Sequence, residues 1–227
     1  MNDALRRSAA HVFVASLDAP ELDVDDLHHL RRVLRIGPRD EVTVSDGRGA
    51  WARAVLGADG ALQTAGSAEH VEHRSPVGVA TALVKGDRSE LVVQKLTELG
   101  VDRILFFASA RSVVRWDDER RERHLGRLRR IAREAAMQSR RVWLPEVEFV
   151  GWSELVAEQG AVLAEPGATG ALDAEARLVV VGPEGGFDPE EMACGLPTVT
   201  LGEHVLRVET AAIAAAVLLA AARRTRG

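Results

Sequence analysis

At 227 residues and 24.5 kDa the chain is long enough for one large domain or two modest ones, each with a real core. Its 46% hydrophobic and 28% charged composition is that of an ordinary globular protein, and its longest strongly apolar run, Ala211 to Ala222, is too short to span a bilayer. A net charge of −5 argues against a uniformly basic nucleic-acid binder, and one cysteine, Cys194, excludes an intramolecular disulfide framework; with no apolar signal-like stretch in residues 1–10, a cytoplasmic location and no membrane partner are expected.

In chain order, His11 to Leu17 reads as a strand. Asp25 is placed to cap a short helix, Asp26 to Arg35, which ends at Ile36-Gly37-Pro38. Asp40 to Ser45 and Trp51 to Leu56 read as strands joined at Asp46-Gly47, a strong hairpin signal. Residues 1–72 are therefore expected to form a small β-rich barrel or sandwich with one helix, and Glu72-His73-Arg74-Ser75-Pro76 is the interdomain joint.

Beyond the joint, in 73–227, the pattern changes. Val77 to Val84, Arg103 to Ala108, Ala161 to Ala164, Leu178 to Val181 and Thr198 to Leu201 are five apolar strands. Ser89 to Leu99, about Asp118 to Arg140, and Glu209 to Arg224 read as helices between or after them. Near-continuous apolar strands alternating with helices predict an α/β domain with a mainly parallel sheet covered on both faces.

Chemistry is concentrated at the strand ends. Gly182-Pro183-Glu184-Gly185-Gly186 follows one buried strand and leads into a helix start with Asp188 as cap and Pro189 in the first turn. Leu201-Gly202-Glu203-His204-Val205-Leu206-Arg207-Val208-Glu209-Thr210-Ala211 closes another. Two glycine turns this close suggest one pocket built mostly from main chain, as for a nucleotide-like cofactor. No G-x-G-x-x-G or G-x-x-x-x-G-K-[ST] is present, and Glu184 would repel a polyphosphate but suits a ligand with donors or positive charge. Lys85-Gly86-Asp87-Arg88 ends the first α/β strand, and Ser109 to Arg115 follows the second.

Of 29 basic residues 27 are arginine, and residues 111–141 hold 11 arginines against 5 carboxylates, an excess of 6 positive charges. An arginine-dense face of this kind can bind phosphates despite an acidic whole. His11, His28 and His29 lack the partners of a metal site, so no metal is expected, and no G-x-S-x-G elbow supports hydrolysis.

These motifs together resemble the bacterial 16S ribosomal RNA uridine-N3 methyltransferase family (the E-type small-subunit enzyme) of the SPOUT superfamily. The resemblance rests on His29 to Arg35, Lys85 to Arg88, Gln94 to Val101, Arg111 to Val114, Glu134 to Arg140 with Leu144 to Val147, Gly182 to Gly186, and Leu201 to Ala211, in family order. Departures are the N-terminal segment, the Gly37-Pro38-Arg39-Asp40 turn, and His204 where an arginine is often found.

The resemblance implies a PUA-like RNA-binding domain over 1–72 and a SPOUT domain over 73–227 with a trefoil knot, S-adenosylmethionine as cofactor, and a homodimer. It implies methylation of N3 of a uridine, at position 1498, in 16S rRNA of the small ribosomal subunit or its precursor. Cofactor contacts then fall to Leu163, Glu165, Pro166, Gly182, Pro183, Glu184, Gly185, Gly186, Leu201, Gly202, Val205, Leu206, Arg207, Thr210 and Ala211. Arg88, Arg111 and Glu209 are the catalytic candidates, and Arg31, Arg32, Arg35, Lys85, Arg115, Arg133, Arg140 and Arg141 the RNA contacts. The rivals are a non-catalytic RNA-binding or ribosome-assembly factor and a SPOUT enzyme acting on another RNA.

Overall fold

Alternating apolar residues in the N-terminal third give the sheet expected of them. A computed structural model, describing residues 2–38, 40–114 and 116–224, shows strands β1 (His11–Phe13), β2 (Glu41–Ser45), β3 (Ala50–Leu56) and β4 (Leu62–His70) in spatial order β1-β2-β3-β4. β1 pairs parallel with β2, and the other pairs are antiparallel. The hairpin turns at Asp46-Gly47 as predicted: the Asp46 carboxylate accepts from the amides of Arg48 and Ala50, and Gly47 takes the positive φ of 73° that glycine tolerates. Helix α1 (Asp3–Arg7) precedes β1, and α2 (Val24–His28) follows it.

Three expectations change in this unit. Asp23, not Asp25, caps α2, its carboxylate accepting from the Asp26 amide at 2.6 Å. The helix does not run on to Arg35: after His28 it widens into a π turn, His29–Val33, and Arg35 stands at φ 56°. β4 went unread because only its first residue, Leu62, is buried; the other eight are exposed, so no alternation marks the strand.

The second unit contains β5 (Gly78–Ala82), α3 (Arg88–Glu98), β6 (Arg103–Phe107), α4 (Asp118–Gln138), β7 (Glu146–Phe149), α5 (Trp152–Ala157), β8 (Ala161–Ala164), β9 (Leu178–Val181), α6 (Pro189–Met192), β10 (Thr198–Val199) and α7 (Val208–Arg224). Its sheet is wholly parallel, in order β10-β8-β9-β5-β6-β7, with β7 added to the five strands expected. Successive residues point to opposite faces. Val79, Ile104 and Val179 join Val92 and Leu96 of α3 and Ala212, Ala215 and Leu219 of α7 in one cluster, whereas Ala80, Leu105 and Val180 join Leu155 of α5 and Phe187 in another. Burying each large aliphatic side chain there stabilises the fold by roughly 1.5–3 kcal/mol.

The chain divides into Met1–Arg74 with Arg133–Leu144, and Ser75–Ala132 with Pro145–Gly227. The boundary thus falls two residues beyond the expected 72, and the second unit is not continuous. Residues 133–144, including the last turns of α4, belong with the first unit, where Ala136, Met137 and Val142 are buried in its cores. Among the described residues no helix is long and apolar enough to cross a membrane.

Candidate active site

Because the sheet is parallel, the loops after β8, β9 and β10 emerge at one edge, the edge where open α/β sheets hold ligands. They enclose a cavity of about 110 Å³. Glu165 and Pro166 line it after β8; Gly182, Pro183, Glu184 and Gly186 after β9; Leu201, Gly202, Val205 and Leu206 after β10; and Ala211 from α7. Ala164, Val181, Phe187, Thr200, His204 and Val208 also line it; of these only His204 and Val208 lie within the motifs, and none was among the cofactor candidates. A Cβ on exposed Gly202 would meet no protein atom; a Cβ on Gly182 would press on the Phe187 ring at 3.1 Å, so that glycine serves packing.

Four cofactor candidates stand elsewhere. Leu163 is fully buried in the sheet core, and Gly185, Arg207 and Thr210 are not among the lining residues. Gly185 has another part to play, since its carbonyl accepts from Arg111 Nη1 at 2.9 Å. Arg88, at the start of α3, donates to Glu184 at 2.6 Å. Two strand-end loops thereby deliver guanidiniums to the Gly182–Gly186 turn. Glu209 is different: Val208 and Ala211 beside it line the cavity but Glu209 does not, and one of its carboxylate oxygens is buried without a hydrogen-bond partner among the described residues.

A residue that sequence reading missed holds this rim in place. Glu191 is buried, and its carboxylate accepts from Ser109 Oγ (2.9 Å), from the Ala110 amide (2.9 Å) and from the Asp188 amide (3.0 Å). Asp188 returns the bond by accepting from the Glu191 amide, which completes a capping box. Glu191 therefore ties the loop that carries Arg111 to the start of α6, just after the glycine turn. The signal available was the Asp-x-x-Glu spacing itself.

The proposed RNA contacts separate sharply. Arg115 lies outside the described residues. Lys85 is exposed beside a second cavity in the same unit. In the first unit Arg31, Arg32 and Arg35 are exposed on or just after the π turn, with Arg31 donating to the Ala58 carbonyl at 2.7 Å. Arg133 instead forms a bidentate pair with the buried carboxylate of Asp26 and also donates to the Phe13 carbonyl; the Asp26 hydrogen bonds, foremost, raise its pKa. Arg140, at φ 59°, donates to the carbonyls of Ser8 and Met137, and burial lowers its pKa. Neither is free for a phosphate as expected, because each satisfies acceptors within its own unit. Arg141 is half-buried, and its carbonyl accepts from the His11 ring.

His11 is buried between Thr43 Oγ1 and the Arg141 carbonyl, 2.9 Å from each; desolvation lowers its pKa to about 4, opposed by the backbone bond and aided by the charge of Arg140. Among the described residues no group of three or more His, Cys, Asp or Glu side chains is placed to hold a metal ion.

A family model described as an RNA methyltransferase domain matches residues 71–220, and one described as an RNA methyltransferase PUA domain matches residues 22–61. The ribosomal RNA small subunit methyltransferase E of Mycobacterium tuberculosis is 35% identical over 219 residues, covering 86% of this chain and 83% of that protein. The chain belongs to the ribosomal RNA small subunit methyltransferase E family. The family member from Bacillus subtilis is 30% identical over 86% of this chain and 87% of its own length. Among solved structures, the family member from Neisseria gonorrhoeae, bound to S-adenosyl methionine, aligns with a TM-score of 0.75 at 28% identity over 92% of this chain and 95% of that one. A methyltransferase from Legionella pneumophila in complex with SAM aligns with a TM-score of 0.79, also at 28% identity, over 95% and 98%.

Proposed function

We propose that the protein transfers a methyl group from S-adenosylmethionine to N3 of a uridine in 16S rRNA, at position 1498, during small-subunit maturation in the cytoplasm. The observation that carries this reading is the main-chain cavity at the parallel sheet's carboxyl edge, with two arginines brought to its Glu184–Gly185 turn. Family membership supports the reaction class. The backbone carbonyls around Gly182, Pro183, Gly186, Thr200 and Gly202 offer acceptors for an adenosine and an amino acid, and Leu206 and Phe187 offer apolar surface. The enclosed 110 Å³ is below the roughly 300 Å³ of an ordinary ligand pocket. Part of the cofactor would therefore extend into the open mouth at Gly202–Val205, where Val205 is 81% exposed.

When bound, S-adenosylmethionine supplies an electrophilic methyl. The protein's task is positioning and charge. A uridine loses its N3 proton on methylation, and a guanidinium beside the base stabilises the resulting anion. Arg88 and Arg111 are the groups assigned that role, because each reaches the turn that walls the cavity and retains donors beyond its one bond. Glu209 is assigned no contact with the reacting atoms.

A homodimer is part of the proposal. Leu219 of α7 is buried, but its neighbours Val217 and Leu218 are 48% and 38% exposed, which supports a second subunit covering that side of the helix. Sedimentation at micromolar concentration is expected to give twice 24.5 kDa.

The deciding experiment is mass-spectrometric mapping of 16S rRNA from a strain lacking the gene. One 3-methyluridine should disappear and return with the wild-type gene but not with Arg88→Ala. An unchanged modification map would overturn the assignment of base and atom.

A further inference from the structure

The α/β unit has a second cavity, about 450 Å³, that shares no lining residue with the first. We infer that it is a nucleotide subsite, holding one nucleotide of the RNA strand next to the base that is methylated; this rests on the RNA-methylation reading above.

One wall is the loop after β5, Lys85-Gly86-Asp87, with Ser89 and Glu90 from the first turn of α3. That loop leads directly into Arg88, which turns away to meet Glu184 at the first cavity. One four-residue segment, Lys85 to Arg88, thus links the second cavity to the Glu184 wall of the first, as expected if the two hold neighbouring nucleotides of one strand.

Another part of the lining is aromatic. Trp116 stacks on His124 with ring centroids 4.7 Å apart and planes within 9°, and it is backed by Phe106 and Phe149 at 6.1 Å and 6.3 Å. His124 is exposed on α4, and both rings line the cavity. Flat rings over an apolar backing suit a nucleobase, whatever its identity, because every base has a π-face.

Cations stand at the rim. Lys85 is exposed and forms no ion pair among the described residues. Among the described residues the Arg120 side chain has only an exposed contact with Asp117 at 3.4 Å, a bond weak enough to exchange for a phosphate. Arg127 reaches across to Glu90 at 2.7 Å, joining α4 to α3 at the cavity's side. The volume lies within the ~300–1,000 Å³ of ligand sites, and the combination of stacking wall and cationic rim fits a nucleoside monophosphate unit within a strand.

The test is equilibrium binding of an unmodified 16S rRNA transcript to the full chain and to a His124→Ala, Arg120→Ala double variant; both positions are exposed on α4, so folding is kept. Transcript affinity should fall by about tenfold, the loss of one stacked base, and the slope of log affinity against log salt should shrink by about one. Calorimetric affinity for S-adenosylmethionine should not change. Affinity and slope equal to wild type would overturn the subsite. Uridine 5′-monophosphate alone should compete only at millimolar concentration; tight binding of the free nucleotide, unaffected by the transcript, would make this a small-molecule site and overturn it equally. Because the assay reads binding and not transfer, failure of the methylation reading shows separately, as a wild-type enzyme that binds the transcript and leaves it unmodified.

Discussion

Arg133 and Arg140, near the end of α4, differ from Arg88 and Arg111, at the strand-end loops of the α/β sheet, in what their guanidiniums touch. All four stand in arginine-rich or motif-bearing stretches, the first two read as RNA contacts and the other two as catalytic candidates. The first two are drawn inward, onto the buried Asp26 carboxylate and onto main-chain carbonyls. The other two each make one bond at the glycine turn, with Arg111 exposed and the Arg88 side chain 41% exposed. Counting charges cannot separate these fates. What separates them is whether an unsatisfied acceptor lies within a side chain's reach, and that depends on which segments the fold brings together.

The comparison can be broken most directly at Arg133. Its replacement by alanine leaves the Asp26 carboxylate buried and uncompensated, and chemical denaturation should record a loss of about 3 kcal/mol, the lower end for such pairs because the arginine is partly exposed. A loss below about 1 kcal/mol would dissolve the distinction.

Acid should act on the same segment through His11. Its folded pKa, about 4, lies below the unfolded value of 6.5, so the unfolded chain binds more protons between those two pH values. Stability should be independent of this group above pH 6.5, decline as the pH falls towards 4, and level off below it, by about 3 kcal/mol at most. His11→Gln should flatten that decline; an unchanged profile would remove His11 as its cause.

Glu191→Gln replaces an acceptor oxygen by an NH₂ that faces existing donors, and should cost about 2 kcal/mol of stability. It should also lower the rate of methyl transfer about tenfold at saturating cofactor, because Arg111 loses its fixed loop. A variant that melts earlier but turns over normally at permissive temperature would show that Glu191 only packs.

The smallest stability effect is expected at Arg111 itself. Arg111→Ala should change the unfolding free energy by less than about 0.5 kcal/mol, as for exposed side chains generally, while transfer falls. A large stability loss there would put it in the same class as Arg133.

Much of the architecture was legible because it follows from short-range rules. Val79 and Ala80 alternate between two cores, Asp46-Gly47 turns the hairpin, and Pro189 behind Asp188 starts α6. The cavity's position was legible from glycine at the strand ends, and eleven of the fifteen cofactor candidates line it. What was not legible depends on distant partners. The inward turn of Arg133 needs Asp26, 107 positions away; the role of Glu191 needs Ser109, 82 away. β4 lacks a buried face, and β7 is a four-residue strand whose burial alternates only at Val147, so neither carries a pattern strong enough to read alone.

The return of residues 133–144 to the first unit has a consequence for how the protein is made. A ribosome that has released residues 1–74 has delivered all four strands of that sheet but not Val142, which closes the small core of Leu5 and Trp51, nor the Arg141 carbonyl that meets His11. The N-terminal unit therefore cannot finish folding in order of synthesis. It must wait, partly open, while β5, α3, β6 and α4 emerge, and a gene cut at the joint would yield a fragment with an unsealed core.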